Sequence, residues 1–320
     1  MTTYKEIFGK YVKNYSSDPS SDIEGQVWYN STTGVFKTNL AGAAAWAAGG
    51  NMGTARQAPA GAGTQIAGLG FGGFTTVNVA NTEEYDGSAW TGGGNLGTAR
   101  RTLAGAGTQT SALGFGGYTT VSLANTEEYD GSAWTGGGTM NTARATLAGA
   151  GTQTAGLAFG GYSSYPTGVN STEEYDGSAW TVGGNLATAR RALAGTGLQT
   201  AGLAFGGNSG SITAATEEYD GSAWTSGGSL NTARDSLAGC GLQTAGLGFG
   251  GFTTVNVANT EEYNGTSWTA STAMTTARRA LAGAGTQTAG LAFAGFTTAN
   301  SAATEEYSDP TFTTKTITTS

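Results

Sequence analysis

The sequence predicts an all-β protein assembled from six copies of one small antiparallel sheet. Two markers, Thr-Ala-Arg and Glu-Glu-Tyr, recur along the chain, and both series advance by 44, 44, 46, 44 and 44 residues. The arginines of the first series are Arg56, Arg100, Arg144, Arg190, Arg234 and Arg278. The tyrosines of the second series are Tyr85, Tyr129, Tyr175, Tyr219, Tyr263 and Tyr307. A period of this length indicates one supersecondary unit that is copied and stacks on its neighbours to bury its apolar side.

Each copy is predicted to contain four short strands. Its apolar segments are brief, and glycine interrupts them too often for a helix of useful length. In the copy that begins at Arg100, the predicted segments are Leu103 to Thr110, Ser111 to Gly117, Ala124 to Tyr129 and Ser132 to Thr135. Four strands are the content of one blade of a β-propeller, so six copies predict six blades.

A turn is predicted between the third and fourth strands of each copy, where Asp-Gly follows the tyrosine. The aspartates are Asp86, Asp130, Asp176 and Asp220, and the fifth copy has Asn264 instead. Asp-Gly and Asn-Gly both favour a two-residue type I′ hairpin turn. A calcium ligand would not exchange its carboxylate for an amide, and no further oxygen ligands cluster around these positions.

The two ends of the repeat array predict how the last sheet is completed. The sixth copy reaches Tyr307 without a following tryptophan, while residues 45–52, around Trp46, match the fourth-strand segment 89–96 of the first copy. We therefore expect the N-terminal strand around Trp46 to complete the last blade and close the ring, which leaves no open sheet edge. The alternative is that residues 311–318 supply this strand.

The repeats resemble the kelch motif. A glycine pair closes the second strand of the first five copies, as in Gly72-Gly73 and Gly116-Gly117, and a tyrosine and a tryptophan follow, as in Tyr129 and Trp134. The spacing from tyrosine to tryptophan is shorter than usual in kelch repeats, and the sixth copy has Ala294-Gly295. The resemblance covers residues 41–310. It implies a six-bladed kelch-like β-propeller with four antiparallel strands per blade.

Composition restricts the possible functions. The net charge of −8 argues against nucleic acid or an anionic membrane as a partner, and no apolar stretch is long enough to span a bilayer. Residues 1–30 carry charges such as Lys5, Lys10 and Lys13 without an apolar run, so no secretory signal is predicted. We expect a protein that is made in a host cytoplasm and released by lysis.

Catalysis is not predicted, and neither is a metal or another cofactor. The chain contains no histidine, which removes the commonest general base and the commonest transition-metal ligand. A copper oxidase on a kelch propeller needs histidine ligands. A sialidase needs an Asp box, whose spacing residues 86–90 break because Gly87 directly follows Asp86. Cys240, the single cysteine, replaces alanine or threonine of the other copies and is interpreted as a small core residue.

The N-terminal region resembles leader segments of bacteriophage structural proteins. Residues 16–37 (SSDPSSDIEGQVWYNSTTGVFK) are similar to segments in tail-fibre and other virion proteins of phages, especially those of marine bacteria. Kelch-like arrays rich in Thr-Glu-Glu-Tyr also occur in such proteins. The resemblance implies an attachment segment with a β-hairpin (residues 1–40) that contacts other virion proteins, a propeller (41–310) and a C-terminal tail (311–320).

Residues common to all copies are interpreted as scaffold. Neighbouring side chains of a strand face opposite ways, so Glu83 and Glu84 cannot form a carboxylate dyad. One arginine and one such glutamate per copy predict six buried ion pairs, with ligand binding as the alternative. We expect the repeated glutamines, such as Gln109, to bind the backbone of the next blade, and the repeated tryptophans, such as Trp134, to pack between blades.

Positions that differ between copies are the candidate binding site. In a four-stranded antiparallel blade, the loop after the second strand and the link to the next blade lie on the same face. The candidate ligand-binding residues on that face are Arg101, Tyr118, Tyr162, Tyr165, Arg191, Asn208, Phe252 and Arg279. Such aromatic rings can stack on sugars, and the alternative is that each ring covers the adjacent blade.

The expected function is that of a non-enzymatic virion protein, resembling a tail fibre or adhesin, that recognises a host-surface glycan or protein. The alternative is a structural decoration or spacer of the phage head or tail that binds no receptor. A kelch adaptor in a eukaryotic cell is the least favoured option, because no partner domain accompanies the repeats.

Overall fold

A computed structural model describes residues 12–18, 26–309 and 312–317 of the chain. These residues form strands, bridges, turns and bends and contain no helix, so the all-β prediction is confirmed. Contacts divide the chain into two units, which are described separately. One contains the described residues up to 45 and from 308 onward, and the other contains residues 46–307.

The smaller unit is one sheet with the strand order β1-β2-β3-β30. Its strands are β1 (Lys13–Tyr15), β2 (Val27–Asn30), β3 (Val35–Ala41) and β30 (Phe312–Thr316). The expected hairpin is β2–β3, in which Asn30 pairs with Val35, and β30 adds antiparallel to β3. Of the predicted attachment segment, residues 1–11 and 19–25 lie outside the described residues.

The larger unit contains six four-stranded sheets that follow one another along the chain. The first sheet consists of β5 (Ala60–Thr64), β6 (Ala67–Phe71), β7 (Thr82–Tyr85) and β8 (Trp90–Gly93). The second consists of β9 (Ala104–Thr108), β10 (Ser111–Phe115), β11 (Thr126–Tyr129) and β12 (Trp134–Gly136). The third consists of β13 (Ala148–Gly151), β14 (Gly156–Phe159), β17 (Thr172–Tyr175) and β18 (Trp180–Val182). A two-stranded hairpin, β15 (Tyr162–Ser164) and β16 (Thr167–Gly168), extends from its second loop.

The last three sheets repeat the pattern. The fourth consists of β19 (Ala194–Leu198), β20 (Ala201–Phe205), β21 (Thr216–Tyr219) and β22 (Trp224–Ser226), and the fifth of β23 (Ala238–Leu242), β24 (Ala245–Phe249), β25 (Thr260–Tyr263) and β26 (Trp268–Ser271). The sixth consists of β27 (Ala282–Gly285), β28 (Ala289–Phe293), β29 (Thr304–Ser308) and β4 (Ala45–Ala48). The strand around Trp46 thus lies in the sixth sheet, whereas residues 312–316 pair with β3.

The core lies between neighbouring sheets and is built from the repeated residues. The indole of Trp134 packs on Phe71 of the preceding sheet, and its Nε1 donates to Thr82 Oγ1 at 2.9 Å. Gln109 Nε2 donates to the backbone oxygens of Gly68 and Tyr85, also in the preceding sheet. These contacts recur in every copy, which confirms that the glutamines and tryptophans join neighbouring sheets. The equivalent bonds are those of Gln65, Gln153, Gln199, Gln243 and Gln287, and of Trp46, Trp90, Trp180, Trp224 and Trp268.

The first strands of the six sheets lie side by side and line a channel of about 230 Å³. Each first strand contacts those of two other sheets, and β27 of the sixth sheet lies beside β5 of the first. Glycine at the second position of these strands permits the close approach. A Cβ atom on Gly105 would lie 2.5 Å from the Gly61 carbonyl oxygen and 2.9 Å from the Phe71 ring.

We expect Gly105→Ala to lower the free energy of unfolding by about 1–3 kcal/mol, because the added methyl group overpacks this contact. Gly136→Ala is the matched control, since a Cβ atom there meets nothing within 4 Å. The control should change stability by less than about 0.5 kcal/mol. Urea unfolding of both variants measures the difference, and equal stabilities would contradict close packing at the channel.

The turn between the third and fourth strands differs from the expected two-residue hairpin. Tyr129 pairs with Trp134, so four residues form the loop, and only Gly131 has a positive φ, of 92°. Asp130 Oδ1 instead accepts hydrogen bonds from the backbone N–H groups of Ser132 and Ala133, both at 2.8 Å. These bonds, with one from the Ser132 hydroxyl, hold the pKa of Asp130 below its ordinary value. Asn264 makes the same backbone contacts with its amide oxygen, which explains the exchange and confirms a turn-forming role.

Candidate functional site

The predicted ligand-binding residues lie on one face of the larger unit. We call it the loop face and define it by the residues that directly follow the six buried arginines and those that directly follow the second-strand glycines. The two sets pair one to one by backbone hydrogen bonds, as when Arg101 and Tyr118 exchange bonds of 3.1 and 2.8 Å. The pairs are Gln57–Phe74, Arg101–Tyr118, Ala145–Tyr162, Arg191–Asn208, Asp235–Phe252 and Arg279–Phe296. The prediction that loops and links share a face is confirmed.

Six buried ion pairs fix the backbone beneath the loop face. Each arginine that precedes a loop-face residue is completely buried and pairs with the first glutamate of its own copy. In the third copy, Arg144 Nη2 lies 2.9 Å from Glu173 Oε1. The other pairs are Arg56–Glu83, Arg100–Glu127, Arg190–Glu217, Arg234–Glu261 and Arg278–Glu305. The structural interpretation of these arginines and glutamates is confirmed.

The second glutamate of each copy points to a neighbouring sheet. Tyr129 Oη donates to Glu84 Oε1 at 2.5 Å, and Tyr175 Oη donates to Glu128 Oε1 at the same distance. Burial of the ring and this hydrogen bond raise the pKa of Tyr129 to about 12. The two glutamates of the motif thus bind different partners, an arginine and a tyrosine, and do not form a carboxylate dyad.

A cycle of backbone hydrogen bonds links the six copies at the centre of the loop face. The residue two positions after each buried arginine has a φ between 49° and 54°. Its N–H donates to the carbonyl oxygen of the equivalent residue in another copy. Thr102 donates to Ala58 at 3.0 Å, and Ala58 donates to Ala280 of the last copy at 2.7 Å. The remaining donors are Thr146, Ala192, Ser236 and Ala280. These bonds hold six non-glycine residues in the left-handed region, which is otherwise unfavourable.

Two arginines of the loop face are each held between two aromatic rings. The Arg101 guanidinium carbon lies 4.7 Å from the centre of the Phe74 ring and 5.0 Å from that of Tyr118. Arg101 Nη1 also donates to Asn78 Oδ1 at 3.0 Å. Arg279 repeats the arrangement between Phe252 and Phe296, with Asn256 as its acceptor. The arginines were among the predicted site residues, whereas Asn78 and Asn256 were not. The signal was present, because each asparagine stands four residues after the ring of its own loop, Phe74 or Phe252.

The extended third-copy loop carries the most exposed aromatic residue of the site. Tyr165 is 68% exposed, and its ring centre lies 5.6 Å from that of Tyr162 and 5.0 Å from the guanidinium carbon of Arg191. Arg191 Nε donates to the Pro166 carbonyl at 2.9 Å and so holds the hairpin. Tyr162 is only 9% exposed, and its own ring lies beside Tyr118. Tyr165 is thus available to a ligand, whereas Tyr162 supports it from below.

The loop face lacks an aromatic ring in the fourth copy. Asn208 stands there and donates from Nδ2 to Asp235 Oδ2 at 3.3 Å, and the Ser236 hydroxyl also binds this aspartate. Asp235 stands at the position where the second, fourth and sixth copies have an arginine. The predicted residues are accordingly distributed around the whole face rather than gathered in one pocket.

The loop face carries both signs of charge, since Asp235 lies there with three arginines. Six of its arginines are neutralised by buried glutamates, and the other three, Arg101, Arg191 and Arg279, all lie on the loop face. The four aspartates of the capped turns lie at the opposite ends of the strands. Within the larger unit, every arginine without an ion-pair partner thus lies on the loop face.

The described residues show no further chemical centre. Within these ranges, no three His, Cys, Asp or Glu side chains are close enough together to hold a metal ion, and no helix is long and apolar enough to cross a membrane. Cys240 is buried in the fifth sheet, where burial raises the pKa of its thiol to about 12. A thiol with this pKa stays protonated and is a poor nucleophile.

No family model matches the chain, and no curated protein matches it.

Proposed function

We propose that the larger unit is a six-bladed, kelch-like β-propeller in which β4 closes the ring. Two observations support closure. The cycle of backbone hydrogen bonds on the loop face includes a bond from Ala58 to Ala280, and so joins the first copy to the last. Gln65 of the first copy likewise donates to the Tyr307 carbonyl of the last copy at 2.6 Å. Both contacts repeat the geometry found between consecutive copies.

The propeller is the recognition domain of a non-enzymatic virion protein, of the tail-fibre or adhesin kind, and its loop face binds a host-surface glycan. One observation carries this proposal: the buried arginine–glutamate pairs beneath the loop face recur in all six copies, while the residue pair on the accessible loop face differs from copy to copy. The likeness of residues 16–37 to phage leader segments supports a place in the virion, with the N-terminal region bound to other virion proteins.

Tyr165→Ala tests the assignment of the face. Because the ring is 68% exposed and rests on Arg191, its removal should leave the melting temperature unchanged. We expect roughly a tenfold or greater loss of binding to host cells, as for an aromatic anchor of an interface. Fluorescently labelled full-length protein, incubated with a panel of marine bacterial strains and measured by flow cytometry, gives the binding.

Val182→Ala is the matched control, because Val182 is also exposed (75%) but lies on a fourth strand rather than on the loop face. It should bind like the unaltered protein. Equal binding by Tyr165→Ala would remove Tyr165 from the site. If the unaltered protein binds no strain, and antibody labelling still places it on virions, the role is structural decoration instead.

A further inference from the structure

The loop face carries three arginines and one aspartate, Asp235, in a protein of net charge −8, and the carboxylate of Asp235 binds Asn208 and Ser236 rather than an arginine. The ion pairs of the described residues involve the six buried arginines and Lys37, and none involves Arg101, Arg191 or Arg279. An arginine that only stabilised the fold would gain most from a carboxylate, and this chain supplies one to each buried arginine. Arginines that form no ion pair on the loop face are available to an external anion.

The two stacked arginines are also preorganised. Two rings and one asparagine fix the Arg101 guanidinium, yet Nε and Nη2 have no hydrogen-bond acceptor among the described residues. Nε and Nη2 of Arg279 are in the same state. Both residues are partly exposed. A guanidinium held between two rings presents Nε–H and one Nη2–H as the pair of N–H groups that binds a carboxylate or sulfate with two hydrogen bonds. Because the side chain is already fixed, binding costs little further side-chain entropy.

We propose that the loop face recognises an acidic polysaccharide, and that Arg101 and Arg279 bind its carboxylate or sulfate groups while Tyr165 packs against a sugar ring. This inference rests on the proposed function, since it names the chemical class of the glycan. A polymer fits better than a single sugar, because the unpaired cations stand in the second, fourth and sixth copies, each separated from the next by another copy. Repeating negative charges can reach several of them at once.

The chain itself provides a matched variant. Gln57 is the first-copy equivalent of Arg101 and Arg279. Its position lies between Phe296 and Phe74, as that of Arg101 lies between Phe74 and Tyr118. Glutamine is therefore compatible with this backbone, and Arg101→Gln combined with Arg279→Gln should fold normally while removing both cations. The reverse change, Gln57→Arg, adds a third arginine between two rings.

The test is affinity electrophoresis of the full-length protein in gels that contain polygalacturonate, dextran sulfate or unmodified dextran. We expect retardation by at least one of the two polyanions and none by dextran. The double variant should lose about tenfold in affinity per arginine, and Gln57→Arg should gain by a similar factor. Arg101→Lys should bind more weakly than the unaltered protein, because an ammonium group retains the charge but not the planar pair of donors.

Three results would overturn the inference: no retardation by either polyanion, equal retardation by dextran, or undiminished polyanion binding by the double variant. Binding to host cells shows whether only the acidic-polysaccharide proposal is wrong or the proposed recognition function is wrong as well. If the double variant binds host cells as well as the unaltered protein does, and Tyr165→Ala binds less, the face recognises a neutral ligand. If the unaltered protein binds no cells, the recognition function itself is wrong.

Discussion

Raising the pH above 10 is expected to unfold the larger unit over a narrow range. Five tyrosines at the sheet junctions, Tyr85, Tyr129, Tyr175, Tyr219 and Tyr263, have pKa values raised from 10.0 to about 12, first by burial and then by hydrogen bonds to glutamates. A phenol is neutral when protonated, so the folded protein keeps protons that the unfolded chain releases. Their contribution to stability is complete below pH 10 and is lost as the pH rises through 12.

The steepness of this loss follows from the repetition. The five tyrosines and the Cys240 thiol, whose pKa burial also raises to about 12, exchange protons in this interval, and the pH slope of the unfolding free energy is proportional to the number of such groups. Burial lowers the pKa of the buried arginines from 12.5, but each faces a glutamate, so we expect them to stay protonated and to leave the slope unchanged.

Urea unfolding at a series of pH values measures this slope, and tyrosinate absorbance reports the deprotonation. Tyr129→Phe should reduce the slope by one proton, because it removes one of the five hydroxyls. If tyrosinate forms near pH 10 while the protein is still folded, the pKa values of these hydroxyls are not raised, and the prediction is wrong.

Much of the fold could be predicted because repetition reveals which residues are interchangeable. The strand segments of the second copy agree with β9 to β12 within a few residues at each end, and one arginine with one buried glutamate per copy was sufficient to predict the ion pairs. The glutamine contacts followed from the same reasoning. In each case the partner lies at a fixed offset in the repeat, so local periodicity carries the information.

The parts that could not be predicted depend on contacts between copies or on backbone angles. Nothing near Arg101 in the sequence indicates that it lies over Phe74, because that ring belongs to the preceding copy. The left-handed conformation of Thr102 has no sequence signal either, since glycine does not stand there and the hydrogen-bond cycle enforces it. The pairing of β30 with β3 joins segments that lack any repeat.

Loss of one buried glutamate is the second large effect that we expect. Arg100 is completely buried and Glu127 is 7% exposed, and their only direct charge partners among the described residues are each other. Glu127→Ala would strand a desolvated guanidinium and would also remove the acceptor of the Gly97 N–H. A buried charge left without its partner costs about 3–5 kcal/mol, so urea unfolding should show a loss of this size.

Replacement of the whole pair separates stability from positioning. Arg100→Met combined with Glu127→Leu leaves no uncompensated charge and should therefore cost less than Glu127→Ala alone. If the pair also holds the adjacent backbone, this double variant should fold but bind polyanions more weakly, because Arg101 directly follows the position that the ion pair fixes. A double variant as unstable as Glu127→Ala would show that the pair stabilises the sheet by its shape and hydrogen bonds, and not by charge compensation.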